Sequence, residues 1–234
     1  MTSLFSLDRI ADGIVVSCQA APGTPLADPA IIAALARAAE EGGAVGLRIE
    51  GIDDIRAVQD ASPLPIIGLV KSSYPGSSVY ITPTAREALD LVETGVEIIA
   101  LDATARPRPR EDLGEILRTI RASSDALVMA DVATLAEGLA ALELGADLVG
   151  TTLQGYTPDS GPAEGPAFDL IEQLSDAGAW VVAEGRVWTP EDVARCYDAG
   201  ARTVVVGGAV TDPISITRRL SRAVVSSGSR RGRP

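Results

Sequence analysis

The chain repeats one order of segments eight times: a short apolar run, a polar turn, then a stretch of helical pattern. The runs are GIVVSC (13–18), AVGLRI (44–49), PIIGLV (65–70), EIIALD (97–102), ALVMAD (126–131), DLVGTT (147–152), WVVAEG (180–185) and TVVVGG (203–208). The stretches between most of them carry helix signals. Residues 28–43 open with Asp28 as N-cap and Pro29 at the first helical position. Residues 84–95 and 134–145 each begin with Thr and place Glu three residues on, the pattern of a capping box. Residues 189–200 offer Thr189 as cap, Pro190 as first residue and Gly200 as stop. Gly43, Gly95, Gly145, Gly178 and Gly200 each stand just before an apolar run, where a left-handed residue ends a helix. Strands alternating with helices pack as a parallel sheet. Eight such units in 234 residues fit an α/β fold of the (β/α)8 TIM-barrel kind. An open doubly wound sheet is the competitor, and no G-x-G-x-x-G follows the first run to favour it. Residues 1–225 read as one catalytic barrel domain, and 226–234, SSGSRRGRP, as a small, basic, disordered tail.

Composition narrows the function. Only 3% of residues are aromatic while 46% are hydrophobic, so the core must be built from Ala, Val, Ile and Leu, which suits buried parallel strands. A net charge of −12 repels nucleic acid and anionic membranes, and neither is expected as a partner. No apolar run is long enough to span a bilayer, and the N-terminus lacks the basic and apolar regions of a signal peptide. A cytoplasmic location is the expectation. Cys18 and Cys196 have neither metal nor redox spacing. The chain has no histidine. Proton transfer must therefore use Lys, Asp, Glu, Tyr or Cys; zinc catalysis is not expected, and magnesium on carboxylates stays open.

Barrel enzymes work at the C-terminal ends of their strands. Those ends carry Gln19, Arg48 with Glu50, Lys71, Asp102, Asp131, Thr151 with Thr152, Glu184 with Arg186, and Gly207 with Gly208. Each has a plain alternative. Lys71 can snorkel to water, Asp102 and Asp131 can cap helices or brace loops, Arg48 and Glu50 can pair with each other, and Cys18 can be a small core residue. The convergence of polar groups on one rim is harder to dismiss than any member. Gly185, Arg186, Gly207 and Gly208, at the seventh and eighth strand ends, sit where barrels bind phosphate through backbone N–H groups. A neutral Lys71 can take a proton from carbon or form a Schiff base. Glu184, in an apolar stretch, is a candidate acid, and Arg48 a candidate stabiliser of an enolate oxygen. Return of the proton on the other face would invert the carbon.

The strings SCQA, GGAVGLRIEG, YITPT, LDATARPRP, ADVAT, GTTLQGYT, AEGR and VVVGGAVTDP occur in this order. Together they resemble the N-acetylmannosamine-6-phosphate 2-epimerases of bacterial sialic acid and amino-sugar breakdown, from about residue 13 to residue 220. The resemblance implies a phosphate-binding (β/α)8 barrel that interconverts N-acetylmannosamine 6-phosphate and N-acetylglucosamine 6-phosphate without metal or nucleotide. It puts the catalytic lysine on Lys71 and the acid–base glutamate on Glu184. Substrate contacts fall on Gln19, Arg48 and Asp131, to which the sixth strand end adds Thr152. Phosphate-binding backbone falls near Gly185, Gly207 and Gly208, with Arg186 beside it. A homodimer is expected. The chain departs from the family's usual pattern at Ser72 and Ser73, at Ala105, and at Gly208, where a serine hydroxyl is common. A Schiff-base aldolase using Lys71 and a non-catalytic sugar-phosphate-binding barrel remain as alternatives.

Overall fold

The structure, a computed structural model, describes residues 6–228. The eight apolar runs form eight parallel strands: β1 (Ile14–Cys18), β2 (Gly46–Glu50), β3 (Ile66–Leu69), β4 (Ile98–Asp102), β5 (Leu127–Asp131), β6 (Leu148–Gly150), β7 (Val181–Glu184) and β8 (Thr203–Val206). Each pairs with the next, and β8 returns to β1 with Ile14 opposite Val204 and Val16 opposite Val206. The sheet is a closed barrel, so the open doubly wound alternative falls. The helices are α1 (Pro29–Glu41), α2 (Ile52–Ala61), α3 (Ala85–Val92), α4 (Leu113–Ser123), α5 (Leu135–Glu143), α6 (Phe168–Asp176), α7 (Pro190–Asp198) and α8 (Pro213–Gly228).

The local signals act as the sequence suggests. Asp28 accepts the Ala30 N–H at 2.8 Å, and reciprocal capping boxes form at Thr84/Glu87, Thr134/Glu137 and Thr189/Asp192. The five helix-ending glycines all have positive φ, between 74° and 101°. In an L-residue this conformation is costly, which explains glycine at each return to the sheet.

Two apolar layers follow from the strand period of two. Val15, Ile67, Leu69, Ile98, Ala100, Met129, Leu148, Val182 and Val205 fill the barrel, and Ile10 joins them from the turn Leu7–Arg9. The alternate residues, among them Leu47, Ile49, Ile99, Leu101, Val149 and Val204, face outward into the layer shared with the helices. Counting onward in twos from the interior rows sets the rim. Val15 leads to Ser17, Leu69 to Lys71, Ala100 to Asp102, Met129 to Asp131, Leu148 through Gly150 to Thr152, Val182 to Glu184 and Val205 to Gly207. The polar ends therefore share one face and one end of the barrel.

Helix α8 behaves differently from the other seven. Residues 217–222 are exposed, Leu220 by 66%, so the helix extends away from the barrel wall. A cavity of about 320 Å³, lined by Ile14, Val16, Leu35, Ala39 and Val210, stays open beside α1. The helix reaches Gly228, three residues into the stretch expected as a tail; residues 229–234 lie outside the described residues.

Candidate active site

Arg48 organises the rim. It is the largest fully buried side chain, 1% exposed, and it sits on β2 inside the barrel. Its Nη2 donates to Asp131 Oδ2 at 2.6 Å and its Nη1 to Asp131 Oδ1 at 3.2 Å, a two-pronged contact with β5. Nη1 also lies 2.8 Å from Glu184 Oε2 on β7 and donates to Met129 Sδ at 3.5 Å. The expected alternative of an Arg48–Glu50 pair is not what forms. Residues two apart on β2 share a face, but the carboxylates of Asp131 and Glu184 reach the guanidinium across the barrel, while Glu50 accepts the Lys71 backbone N–H at 3.3 Å. Burial alone would lower the Arg48 pKa; the charges of Asp131 and Glu184 outweigh it, and the net shift is upward. The Arg48 Nε–H has no hydrogen-bond partner among the described residues.

Glu184 is pushed up to about 7, first by burial. Arg48 pulls it back, Asp131 adds to the rise, and Lys71 and Thr152 oppose it. Thr152 joins the two carboxylates: its Oγ1 donates to Asp131 Oδ1 at 2.6 Å and stands 3.3 Å from Glu184 Oε2. Thr151 points the other way and ties its hydroxyl to the Glu184 backbone.

Lys71 stands two residues beyond the end of β3, where it bridges to Ile81 and so fixes the turn into α3. Its Nζ donates to Gln19 Oε1 at 2.6 Å, and Gln19 Nε2 donates to Ser17 Oγ at 2.9 Å. The side chain is exposed at the barrel mouth, yet its pKa is lowered. Burial at the rim is the main cause; Glu50 pulls the other way, and the cationic Arg48 lowers it further. Lys71 is also the only lysine in the chain, a count that singles it out from sequence alone.

The four residues expected at the phosphate are together. Gly185, Arg186, Gly207 and Gly208 line one cavity of about 240 Å³, with Glu184, Ser17 and Trp188 among its other walls. Gly185 and Arg186 both have positive φ, 108° and 57°, which turns the chain sharply at the end of β7. Arg186 directs its Nε to the Gly165 carbonyl at 2.7 Å and Nη2 to Gln154 Oε1 at 2.5 Å, bracing the loop after β6. Gly208 does not need glycine for its backbone: a Cβ there would meet only Trp188 ring atoms at an ordinary 3.6 Å.

Asp102 and the two cysteines stay apart from this cluster. Asp102 accepts from Thr104 N and Oγ1 at 3.0 and 2.7 Å and pairs with Arg106 at 2.5 Å, so it braces its own loop. Cys18 and Cys196 are buried, and burial pushes both thiols up to about 12. Ser17 and Gly150 enter the site without having been singled out beforehand. A Cβ on Gly150 would stand 2.3 Å from Met129 Cε and 3.0 Å from both Asp131 Oδ1 and Thr152 Oγ1. Only strand parity could have flagged them, because both lie on the inward row beside polar neighbours.

A family model described as "Putative N-acetylmannosamine-6-phosphate epimerase" matches residues 32–226. The chain is 45% identical over 220 residues to a protein of that 2-epimerase name from Clostridioides difficile (strain 630), covering 93% of this chain and 98% of the relative. It is 47% identical over 223 residues to one from Enterobacter sp. (strain 638), covering 93% and 95%. Among solved structures it superposes with a TM-score of 0.90 and 42% identity on the N-acetylmannosamine-6-phosphate 2-epimerase from Clostridium perfringens, covering 92% of this chain and 95% of the other. A thiamine phosphate pyrophosphorylase from Pyrococcus furiosus, at 16% identity and a TM-score of 0.59, shares the fold alone.

Proposed function

The chain belongs to the N-acetylmannosamine-6-phosphate epimerase family, and from that premise we propose how its residues carry out the reaction. The enzyme is an isomerase that inverts C2 of N-acetylmannosamine 6-phosphate to give N-acetylglucosamine 6-phosphate, and the reverse. The aldolase and the non-catalytic barrel give way to this. The observation that carries the mechanism is the placement of Lys71 and Glu184. They rise from β3 and β7, four strands apart in a ring of eight, and so stand on opposite walls with buried Arg48 between them.

The substrate reacts as its open-chain aldehyde, whose C1 carbonyl acidifies the hydrogen on C2. The Lys71 amine takes that hydrogen and becomes an ammonium. The bonding pair moves into C1–C2, and negative charge collects on O1 as an enolate. The Arg48 guanidinium, buried beneath the mouth, stabilises that charge through its own positive charge, while Asp131 and Thr152 hold the guanidinium and Glu184 in place. Glu184, as the acid, returns a proton to C2 from the opposite wall, and the carbonyl re-forms with the centre inverted. The reverse direction starts from the ammonium and the carboxylate. Substrate over the mouth completes the desolvation of Lys71, which the open rim supplies only in part. The phosphate sits in the cavity between Gly185, Arg186, Gly207 and Gly208.

The chain acts as a homodimer in the cytoplasm. The open apolar cavity beside α1 and the outward α8 with Leu220 exposed support pairing of two copies, and no helix among the described residues is long and apolar enough to cross a membrane. The test of the reaction is direct: N-acetylmannosamine 6-phosphate in D₂O, followed by proton NMR, yields N-acetylglucosamine 6-phosphate labelled at C2. Persistence of the starting epimer alone refutes the assignment.

A further inference from the structure

Ser17 lies on the inward row of β1, 9% exposed, and forms part of the wall of the cavity that holds Gly185, Gly207 and Gly208. Its hydroxyl is tied into a chain that ends at Lys71. Lys71 Nζ donates to Gln19 Oε1 at 2.6 Å, and Gln19 Nε2 donates to Ser17 Oγ at 2.9 Å. An amide oxygen only accepts and an amide nitrogen only donates. With Oε1 held by the amine, Nε2 must face Ser17, and Ser17 Oγ must accept. The serine hydrogen is then left to donate elsewhere, and nothing among the described residues accepts it. Gly207 keeps this wall close: a Cβ there would stand 3.3 Å from Ser17 Cβ and 3.7 Å from Oγ.

We propose that Ser17 is a phosphate ligand and, through Gln19, the residue that positions the Lys71 amine when phosphate is bound. The hydroxyl donates to a phosphoryl oxygen, and all hydrogen bonds in the chain from Lys71 to phosphate point the same way, so each strengthens the next. The anion fixes Ser17, Ser17 fixes the amide, and the amide holds one N–H of Lys71 so that its lone pair is free for C2. The hydroxyl also gives the cavity a donor that Gly208 lacks. The proposal rests on the epimerase mechanism above, with this cavity as the phosphate seat.

The test uses the full chain, its Ser17→Ala variant and Ser17→Cys, which keeps the shape with a weak donor. Inorganic phosphate is the probe, measured as a competitive inhibitor and by its effect on the resonance of Lys71 in protein carrying 13C-labelled lysine. Losing one hydrogen bond to a charged group weakens phosphate about tenfold and raises KM by a similar factor. At saturating phosphate the wild-type lysine resonance shifts, and both variants lose that shift. Phosphate inhibition within twofold of wild type in both variants, or an unchanged lysine shift in them, overturns the proposal. Wild-type turnover is scored separately: if the unaltered enzyme does not interconvert the epimers, the reaction assignment fails, whatever the variants do.

Discussion

Replacing Arg48 by Met keeps most of the side-chain volume and removes the charge that two buried carboxylates share. Asp131 is fully buried and Glu184 is 14% exposed, so neither finds adequate hydration in its place. Removing one partner of a buried ion pair costs ~3–5 kcal/mol, a large part of the roughly 5–15 kcal/mol that holds a typical domain together. The cost must depend on pH. In the wild type Glu184 already has its folded pKa raised to about 7, so its contribution to stability is present at low pH and is lost as pH rises toward 7. Without Arg48 the raised value climbs further, and the loss continues above 7, by about 1.4 kcal/mol per pH unit for each proton the folded state holds and the unfolded state does not. Urea unfolding at about pH 5.5 and about pH 8.5 reads the difference. The variant's deficit should be small at the lower pH and reach several kcal/mol at the higher. A deficit of equal size at both refutes the claim that Arg48 acts by holding down the proton affinity of Glu184.

Other outcomes follow from the same geometry. The productive Lys71–Glu184 pair carries one transferable proton between them, so kcat/KM should be bell-shaped. It should fall tenfold per unit below about pH 7, where both groups are protonated, and fall again on an alkaline limb below the ordinary lysine value of 10.5, where both are deprotonated; a flat profile from pH 5.5 to 7 contradicts this. Gly150→Ala forces a methyl against Met129, Asp131 and Thr152 and should cost ~1–3 kcal/mol of stability and lower kcat, because the Asp131–Thr152 contact must open; unchanged melting and kcat would show that this packing is loose. Activity should survive EDTA, since Arg48 supplies the positive charge at the enolate; loss restored by Mg²⁺ would put a metal in that role.

The barrel was legible because its signals are local. Proline and Asp28 at the start of α1, the Thr84 and Thr134 boxes and the glycines before each strand act within a few residues of themselves. The rim was legible because a strand end in a barrel has one destination. What sequence could not supply is contact across the barrel. Arg48 and Glu50 look like partners on one strand face, yet Arg48 pairs with Asp131 and Glu184, which lie 83 and 136 residues away in the chain. Asp102 and Asp131 end adjacent strands in matching register, and only three-dimensional placement separates the loop brace from the site residue. Gly150 carries no side chain to attract notice, and its role is the space it leaves. The outward course of α8 was not legible either, since its apolar residues give no sign of which surface receives them.

The most direct measurement is hydrogen exchange at C2 by two single variants, Lys71→Ala and Glu184→Gln, given each epimer separately in D₂O. Neither should convert one epimer to the other. Each should still exchange the C2 hydrogen of one epimer, the one whose hydrogen faces the remaining group, and the two variants should choose different epimers. Exchange of the same epimer by both, or conversion at a near-normal rate by either, contradicts proton transfer from opposite walls of the barrel.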